Sequence, residues 1–403
     1  MTESEGLLIY YWQLPEDLFI NLNRGFHEKF CNIVQGKVGY KRKNCFYKIL
    51  NCPKWHAQRL FTQFNRMTLR ELEILREFAE INKDEVERNI ETLGNHEDGT
   101  IIKNPKLPFN LKDLIYISSH LMFDGSYRDK KGCYFYAYEP SLVEYHKKRL
   151  SVFGEVPINF MEKENQLYFS YTIGYIAKKI LKIETFNSTK TRLSEDLKNL
   201  SRKNKILADE IVKALIIDEG SIDDKIEVEL ANETLVRDLI ETIDKHYNFT
   251  KITSRTRTIE FKANPKWKHT TTVWNIGFAA SSFQELYKSI SPLPINYKNE
   301  NLEFLYKRQT RKRKQRKHGE TRRLIVLSLL NSSKTIEELA KELLIKQTTV
   351  RAQLRGHPNV KEPLISLGIV DKVDERILRR GGYAKAAVYG IKDINEANKF
   401  LNT

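Results

Sequence analysis

The spacing of hydrophobic and polar positions changes several times along this chain, and one sequence of changes occurs twice. From Ile117 to Tyr127, ISSHLMFDGSY is a short apolar helix pattern running straight into an acid, a glycine and a serine; Val212 to Ile222, VKALIIDEGSI, repeats that ending. The segments after the two copies also match in kind and order. After Gly125, Cys133, Phe135 and Ala137 alternate with Tyr134, Tyr136 and Tyr138; PSLVEYHKKRLSVF then reads as a helix, and QLYFSYTIGYIAKKI as a strand passing into a helix. After Gly220 come KIEVELAN, the helix pattern ETLVRDLIETIDKHY, then TRTIEFKA and TTVWNIGFAASSFQELY. Both halves read helix, strand, strand, helix, strand and helix, so the middle of the chain is an internal duplication. Small residues in the repeated stretch let two such helices approach closely. If they pair about a pseudo-twofold axis, Asp124 and Glu219 at their carboxyl ends become neighbours.

The flanks predict different architecture. Apolar spacings of three and four residues from Leu18 to Ile81 predict helices, and NCPKWHAQRLFTQFNRMTLRELEIL reads as helix, short turn, helix. In a helix-turn-helix, Lys54, His56, Gln58 and Arg59 would face the major groove, although a small helical bundle has the same periodicity. Residues 1–105 are therefore expected to be a helical, helix-turn-helix-like domain closed by the linker GNHEDGTIIKNPKLP. The duplicated core is expected at 106–300, with repeats at about 108–186 and 205–292 joined by one continuous helix through TKTRLSEDLKNLSRKNKILADEIVKAL. A basic linker at 301–321 follows, with eight Lys or Arg between Lys307 and Lys317, among them Arg311, Lys312 and Arg313. Residues 322–403 read as a winged helix-turn-helix: helices in LIVLSLLN, KTIEELAKELL and IKQTTVRAQLR, then two strands around a Gly-Gly turn. Gln347, Thr348, Thr349, Arg351 and Gln353 would face the groove, and Arg379 and Arg380 at the wing tip would reach phosphate or the minor groove.

Charge narrows the partner. A formal charge of +16 over 403 residues points to a polyanion, and 40% hydrophobic residues are enough for ordinary cores. Four cysteines, no signal-peptide pattern and no apolar run near 18 residues fit a cytoplasmic protein without a membrane role. Cys31, Cys45, Cys52 and His56 lack a CxxC spacing and read as buried small side chains rather than zinc ligands.

ISSHLMFDG and VKALIIDEG each resemble the nine-residue signature of the LAGLIDADG homing endonucleases, with an acid at the eighth position in both. The resemblance covers about residues 106 to 292. It implies an α+β fold, a pseudo-twofold LAGLIDADG core whose two antiparallel saddle sheets lie on double-stranded DNA, here between an N-terminal helical domain and a C-terminal winged helix. It further implies that Asp124 and Glu219 hold Mg²⁺ or Mn²⁺ between the strands to be cut. Phe123 and Asp218 stand where a small residue is usual, and Lys213 where a small or apolar one is, which predicts looser helix packing.

A carboxylate at a helix carboxyl end calls for a positive neighbour, and a divalent ion is the simplest. The acid-glycine pair is equally the signature of a helix stop with a C′ glycine. Among the lysines, Lys262 and Lys268 in FKANPKWKH are the candidates to assist catalysis by the resemblance, while phosphate contact explains them as well. His120 reads as a packed or hydrogen-bonded histidine. SRTRT alternates hydroxyl side chains with Arg255 and Arg257, which suits a β-ribbon contacting base edges. The leading expectation is a monomeric, site-specific, metal-dependent DNA endonuclease. Its alternatives are a DNA-binding transcription regulator with an inactive core, or an RNA-binding splicing helper.

Overall fold

Each repeated helix begins at an asparagine. The computed structural model describes residues 7–38, 45–62, 67–95, 100–128, 132–186, 190–250, 252–261, 264–310, 319–358, 360, 362–377 and 385–402. From the amino end the chain forms β1 (Leu8–Ile9), β2 (Phe19–Leu22), α1 (Arg24–Val38), α2 (Cys45–Leu50), α3 (Lys54–Thr62), β3 (Met67–Thr68), α4 (Leu69–Ala79), α5 (Lys83–Glu87), β4 (Ile90–Gly94), β5 (Ile102–Lys103) and β6 (Phe109–Asn110). The first copy follows as α6 (Leu111–Met122), β7 (Gly125–Arg128), β8 (Gly132–Tyr136), α7 (Pro140–Leu150), β9 (Ile158–Met161), β10 (Gln166–Phe169) and α8 (Tyr171–Ile180). After α9 (Glu195–Lys203) the second copy runs α10 (Lys205–Asp218), β11 (Gly220–Ile222), β12 (Ile226–Leu230), α11 (Glu233–Ile243), β13 (Thr253–Phe261), β14 (Asn264–Phe278) and α12 (Phe283–Ile290).

The two four-stranded sheets have the same strand order, β7-β8-β10-β9 and β11-β12-β14-β13, so the duplication read from the sequence extends to topology. Asn110 accepts the Lys112 N–H at the start of α6, and Asn204 accepts the Ile206 N–H at the start of α10. That second cap breaks the expected continuous connector into α9 and α10: Asn204 has an extended backbone and closes one helix while opening the next. The short strand β9 also lay outside the periodicity reading. It pairs antiparallel with β10, Phe169 opposite Ile158.

The helical expectation for residues 1–105 needs correction. Strands of two to five residues form an antiparallel sheet in the order β3-β2-β4-β5, with Ile20 and Leu22 buried. Runs this short carry too few alternations to register against the helical spacing around them. In the segment read as a helix-turn-helix, β3 intervenes between α3 and α4, and a Thr68–Glu71 capping box opens α4. His56 Nε2 lies 2.6 Å from Glu71 Oε1. The segment expected as a linker is also structured: Lys103 and Glu155 exchange backbone hydrogen bonds of 3.1 and 2.8 Å.

The chain divides into two compact units. Met1–Ser221, Glu227–Gly277 and Leu293–Asn296 form the first; Ile222–Ile226, Phe278–Pro292 and Tyr297–Thr403 form the second. In the second unit, α13 (Asn296–Thr310) covers the start of the stretch expected to be a basic linker, with Leu302, Phe304 and Leu305 buried. The charged residues beside them mask this apolar face. It is followed by α14 (Glu320–Asn331), β15 (Lys334–Thr335), α15 (Ile336–Leu343), α16 (Gln347–Arg355), β16 (Val370–Ile377), β17 (Lys385–Ile391) and α17 (Ile394–Asn402), with sheet order β15-β17-β16. Three helices and a terminal hairpin make the winged helix expected from the sequence, and α17 is added to it.

Candidate nucleic-acid interface

The third helix of the winged unit is amphipathic in the sense a reading helix requires. Val350 and Leu354 are fully buried, while Thr348, Arg351 and Arg355 are exposed at spacings of three and four residues along one stripe. Thr349 and Gln347 are half-buried. Gln353 accepts a 3.0 Å hydrogen bond from Arg322 Nε and is tied to the unit's own first helix. Arg355, which sequence reasoning missed, lies with its guanidinium over the Tyr389 ring and its Nε hydrogen-bonded to the Tyr389 hydroxyl. Its position one turn after Arg351 was the available signal.

An acid caps this helix. Asp224 accepts the backbone N–H groups of Gln347 and Thr348 at 3.2 and 3.5 Å, and Arg308 Nη1 holds the same carboxylate at 2.9 Å. Asn301 Nδ2 fixes the turn by donating to the Ile222 carbonyl at 2.6 Å. Nothing in the spacing of Asp224 from the helix it caps betrays this role.

In the first unit, α6 and α10 pack directly, so Phe123, Asp218 and Lys213 do not prevent the close pairing of the repeats. Each atypical residue has a place. Phe123 is buried, and Asp218 receives a hydrogen bond from His120 Nδ1, 2.8 Å from its Oδ2. Lys213 lies half-buried over the Tyr145 ring, 5.7 Å from its centre. Burial, with Arg149 and Lys213 nearby, pushes the His120 imidazole down to about 3, so it is neutral and its Nδ1 carries the proton. Around it, Arg149 Nη2 bonds Glu210 at 2.9 Å and Asp113 at 3.2 Å, and Lys112 bonds Glu210 at 3.1 Å. The Tyr116 hydroxyl meets His146 Nδ1. These groups bridge α6, α7 and α10.

Asp124 and Glu219 stand at the carboxyl ends of α6 and α10, both half-exposed. The glycines after them do not adopt the left-handed conformation of a C′ stop. A Cβ at Gly125 would sit 2.6 Å from the His120 carbonyl oxygen, and one at Gly220 2.6 Å from that of Ile216, so glycine serves close approach in both copies. The exposed Tyr138 phenol is pushed up to about 12 by partial burial and by the charges of Asp124, Tyr136, Glu219 and Asp218, so both repeat acids act on one side chain. No three His, Cys, Asp or Glu gather into a metal-binding group among the described residues.

On the first sheet, Tyr134, Tyr168, Gln166 and Asn159 fall by register on the face opposite Phe135, Leu167 and Phe169; of these four Asn159 is exposed and Tyr168 half-buried, while Tyr134 and Gln166 are buried. Arg255 and Arg257 are exposed on β13, and Arg255 pairs with Glu229 at 2.5 Å, which offsets part of the basic character expected of that face. Lys268 lies opposite Glu260 in the β13–β14 pairing. Lys262, Arg311, Lys312, Arg313, Arg379 and Arg380 lie outside the described residues.

The model for the arsR family of bacterial regulatory proteins matches residues 319–356, which span α14 to α16. No curated protein matches the chain. The protein is thus a mixed α+β chain whose C-terminal helix-turn-helix is similar to that of arsR-family bacterial regulatory proteins, a feature that points to DNA binding. Among the described residues no helix is long and apolar enough to cross a membrane.

Proposed function

We propose that the protein is a DNA-binding regulator whose C-terminal winged helix-turn-helix reads duplex DNA and whose duplicated core, resembling that of LAGLIDADG proteins, is kept for binding. The observation that carries this reading is the exposed Thr348, Arg351 and Arg355 stripe on the third helix of a segment similar to arsR-family regulators. Arg257 and the tyrosine and amide side chains of the first sheet would add contacts to backbone and bases. The protein would act as a monomer, its internal duplication standing in for a dimer's symmetry.

A second reading, metal-dependent DNA cleavage, draws on the recurrence of Asp124 and Glu219 at equivalent helix ends. Two half-exposed carboxylates in the negative potential of two helix carboxyl ends suit a hydrated hard cation such as Mg²⁺ or Mn²⁺. Such an ion would supply Lewis acidity for phosphodiester hydrolysis. The chain's own acids would bind and orient it, with Lys262 or Lys268 as candidates to offset charge on the phosphate.

One experiment separates the two. The protein is incubated with randomised duplex DNA and Mg²⁺ or Mn²⁺, and bound molecules and new ends are sequenced, with Asp124→Asn and Glu219→Gln in parallel. Selective binding without cuts is the expected result. Defined cuts lost in both variants, with binding retained, would replace the regulator by the nuclease.

A further inference from the structure

A groove beside α8 contains neither of the repeat acids. Tyr127 on β7 and Tyr171 and Tyr175 on α8 set three phenol rings side by side, with centres 5.0 Å apart for the first pair and 6.0 Å for the second. Lys178 Nζ stands 5.1 Å from the Tyr127 ring centre and Lys179 Nζ 5.5 Å from that of Tyr175. With Lys182 they line a groove of about 580 Å³. Tyr127 lies opposite buried Cys133 in the sheet register, while Ser126 lies opposite Tyr134. The groove is therefore on the helix-covered side of the first sheet, away from the Tyr134 face.

A stripe of this spacing on a helix is ordinarily core. Tyr171 is buried in that way, but Tyr175 and Lys178 are half-exposed and Lys179 is exposed. Among the described residues, neither Lys178 nor Lys179 is matched by a carboxylate. Lys182 pairs with Asp196 at 2.6 Å, but both side chains are more than half exposed, so the pair is weak and open to exchange. Among the described residues that line the groove, Glu184 is the acid against three lysines. Asp17 accepts the Tyr175 hydroxyl and holds that ring by its edge. Flat aromatic faces interleaved with uncompensated ammonium groups suit a ligand that is both a π-system and an anion.

We propose that this groove binds a single-stranded nucleic-acid segment, with an unstacked base against Tyr175 and flanking phosphates on Lys178, Lys179 and Lys182. A paired duplex keeps its base faces stacked and cannot offer that contact, so this ligand differs in kind from the duplex that a winged helix reads.

The test is fluorescence anisotropy with the full-length protein and labelled 12-nucleotide oligouridine or oligothymidine, in the presence of excess unlabelled duplex. Tyr175→Ala and the pair Lys178→Glu, Lys179→Glu should each weaken strand binding about tenfold or more. The charge reversals should also reduce the slope of log affinity against log salt by about 1.4, roughly 0.7 for each phosphate no longer neutralised. Tyr175→Phe keeps the aromatic face and loses only the edge contact to Asp17, so it should bind much closer to the parent than Tyr175→Ala does, and duplex binding by every variant should be unchanged, which shows that they fold. The arm showing the loss, RNA or DNA, identifies the strand. Parent-like binding of both oligonucleotides by the variants, or complete displacement by duplex, would overturn the proposal.

Discussion

His120 donates its Nδ1–H to Asp218 across the pairing of α6 and α10, with the nitrogen 2.9 and 2.8 Å from the two carboxylate oxygens. In the second copy Leu215 holds the place of His120, and in the first copy Phe123 holds that of Asp218; both are buried. One crossing of the duplicated interface is therefore polar and its symmetry-related counterpart apolar. Removing one partner, by His120→Ala or Asp218→Ala, should cost roughly 2 kcal/mol or more, because a buried polar group is lost or stranded. Converting the pair together to the apolar solution, His120→Leu with Asp218→Phe, should recover most of that loss. Urea denaturation of the singles and the double checks this; a double variant no better than the sum of its singles would sink it.

The same imidazole sets an acid limit on stability. His120 is held down to about 3, and His146 well below its ordinary value, in both cases first by burial. The unfolded chain takes these protons near pH 6.5 and the folded chain does not, so stability is full above about pH 6.5 and falls as pH drops below it. Each histidine contributes a loss of up to about 1.4 kcal/mol per pH unit, ending only near its folded value. Denaturation midpoints at pH 7.5, 6.0 and 5.0 should decline in that order. A flat profile would mean that the imidazoles charge in place.

Gly125 and Gly220 face the same obstacle, the backbone of Leu121 and of its counterpart Ile216, whose Cα atoms lie 2.8 Å from any added Cβ. Gly125→Ala and Gly220→Ala should each lower stability by about 1–3 kcal/mol. Comparable losses in thermal unfolding of the two variants would support equivalent roles; a silent substitution at either would break the equivalence.

Asp224 caps α16 through the amides of Gln347 and Thr348. Asp224→Ala should cost about 1 kcal/mol of stability. Hydrogen exchange offers the direct measurement, since those two amides should lose protection before the rest of α16.

On DNA, Arg351→Ala should weaken specific binding by about 1–3 kcal/mol and relax preference at one base position, whereas Gln353→Ala should change little, because Arg322 already holds that side chain. Selection from randomised duplex with each variant distinguishes them. Equal effects would show that the exposed stripe is misplaced.

Much of this molecule is legible in its residues. The duplication, the two acids at the ends of its helices and the amphipathic α16 follow from local periodicity and side-chain chemistry, which act over one or two helical turns. Short strands around residues 19–103 escape because each pairs with a distant segment rather than repeating its own pattern. The break at Asn204 escapes because the same asparagine chemistry serves helix ends and polar helix faces. Tertiary structure alone brings His120 to Asp218, Arg149 to Glu210 and Asp224 to the start of α16. Such pairings join residues far apart in the chain, and their energies depend on which groups lose water together, a quantity set by packing and invisible to spacing.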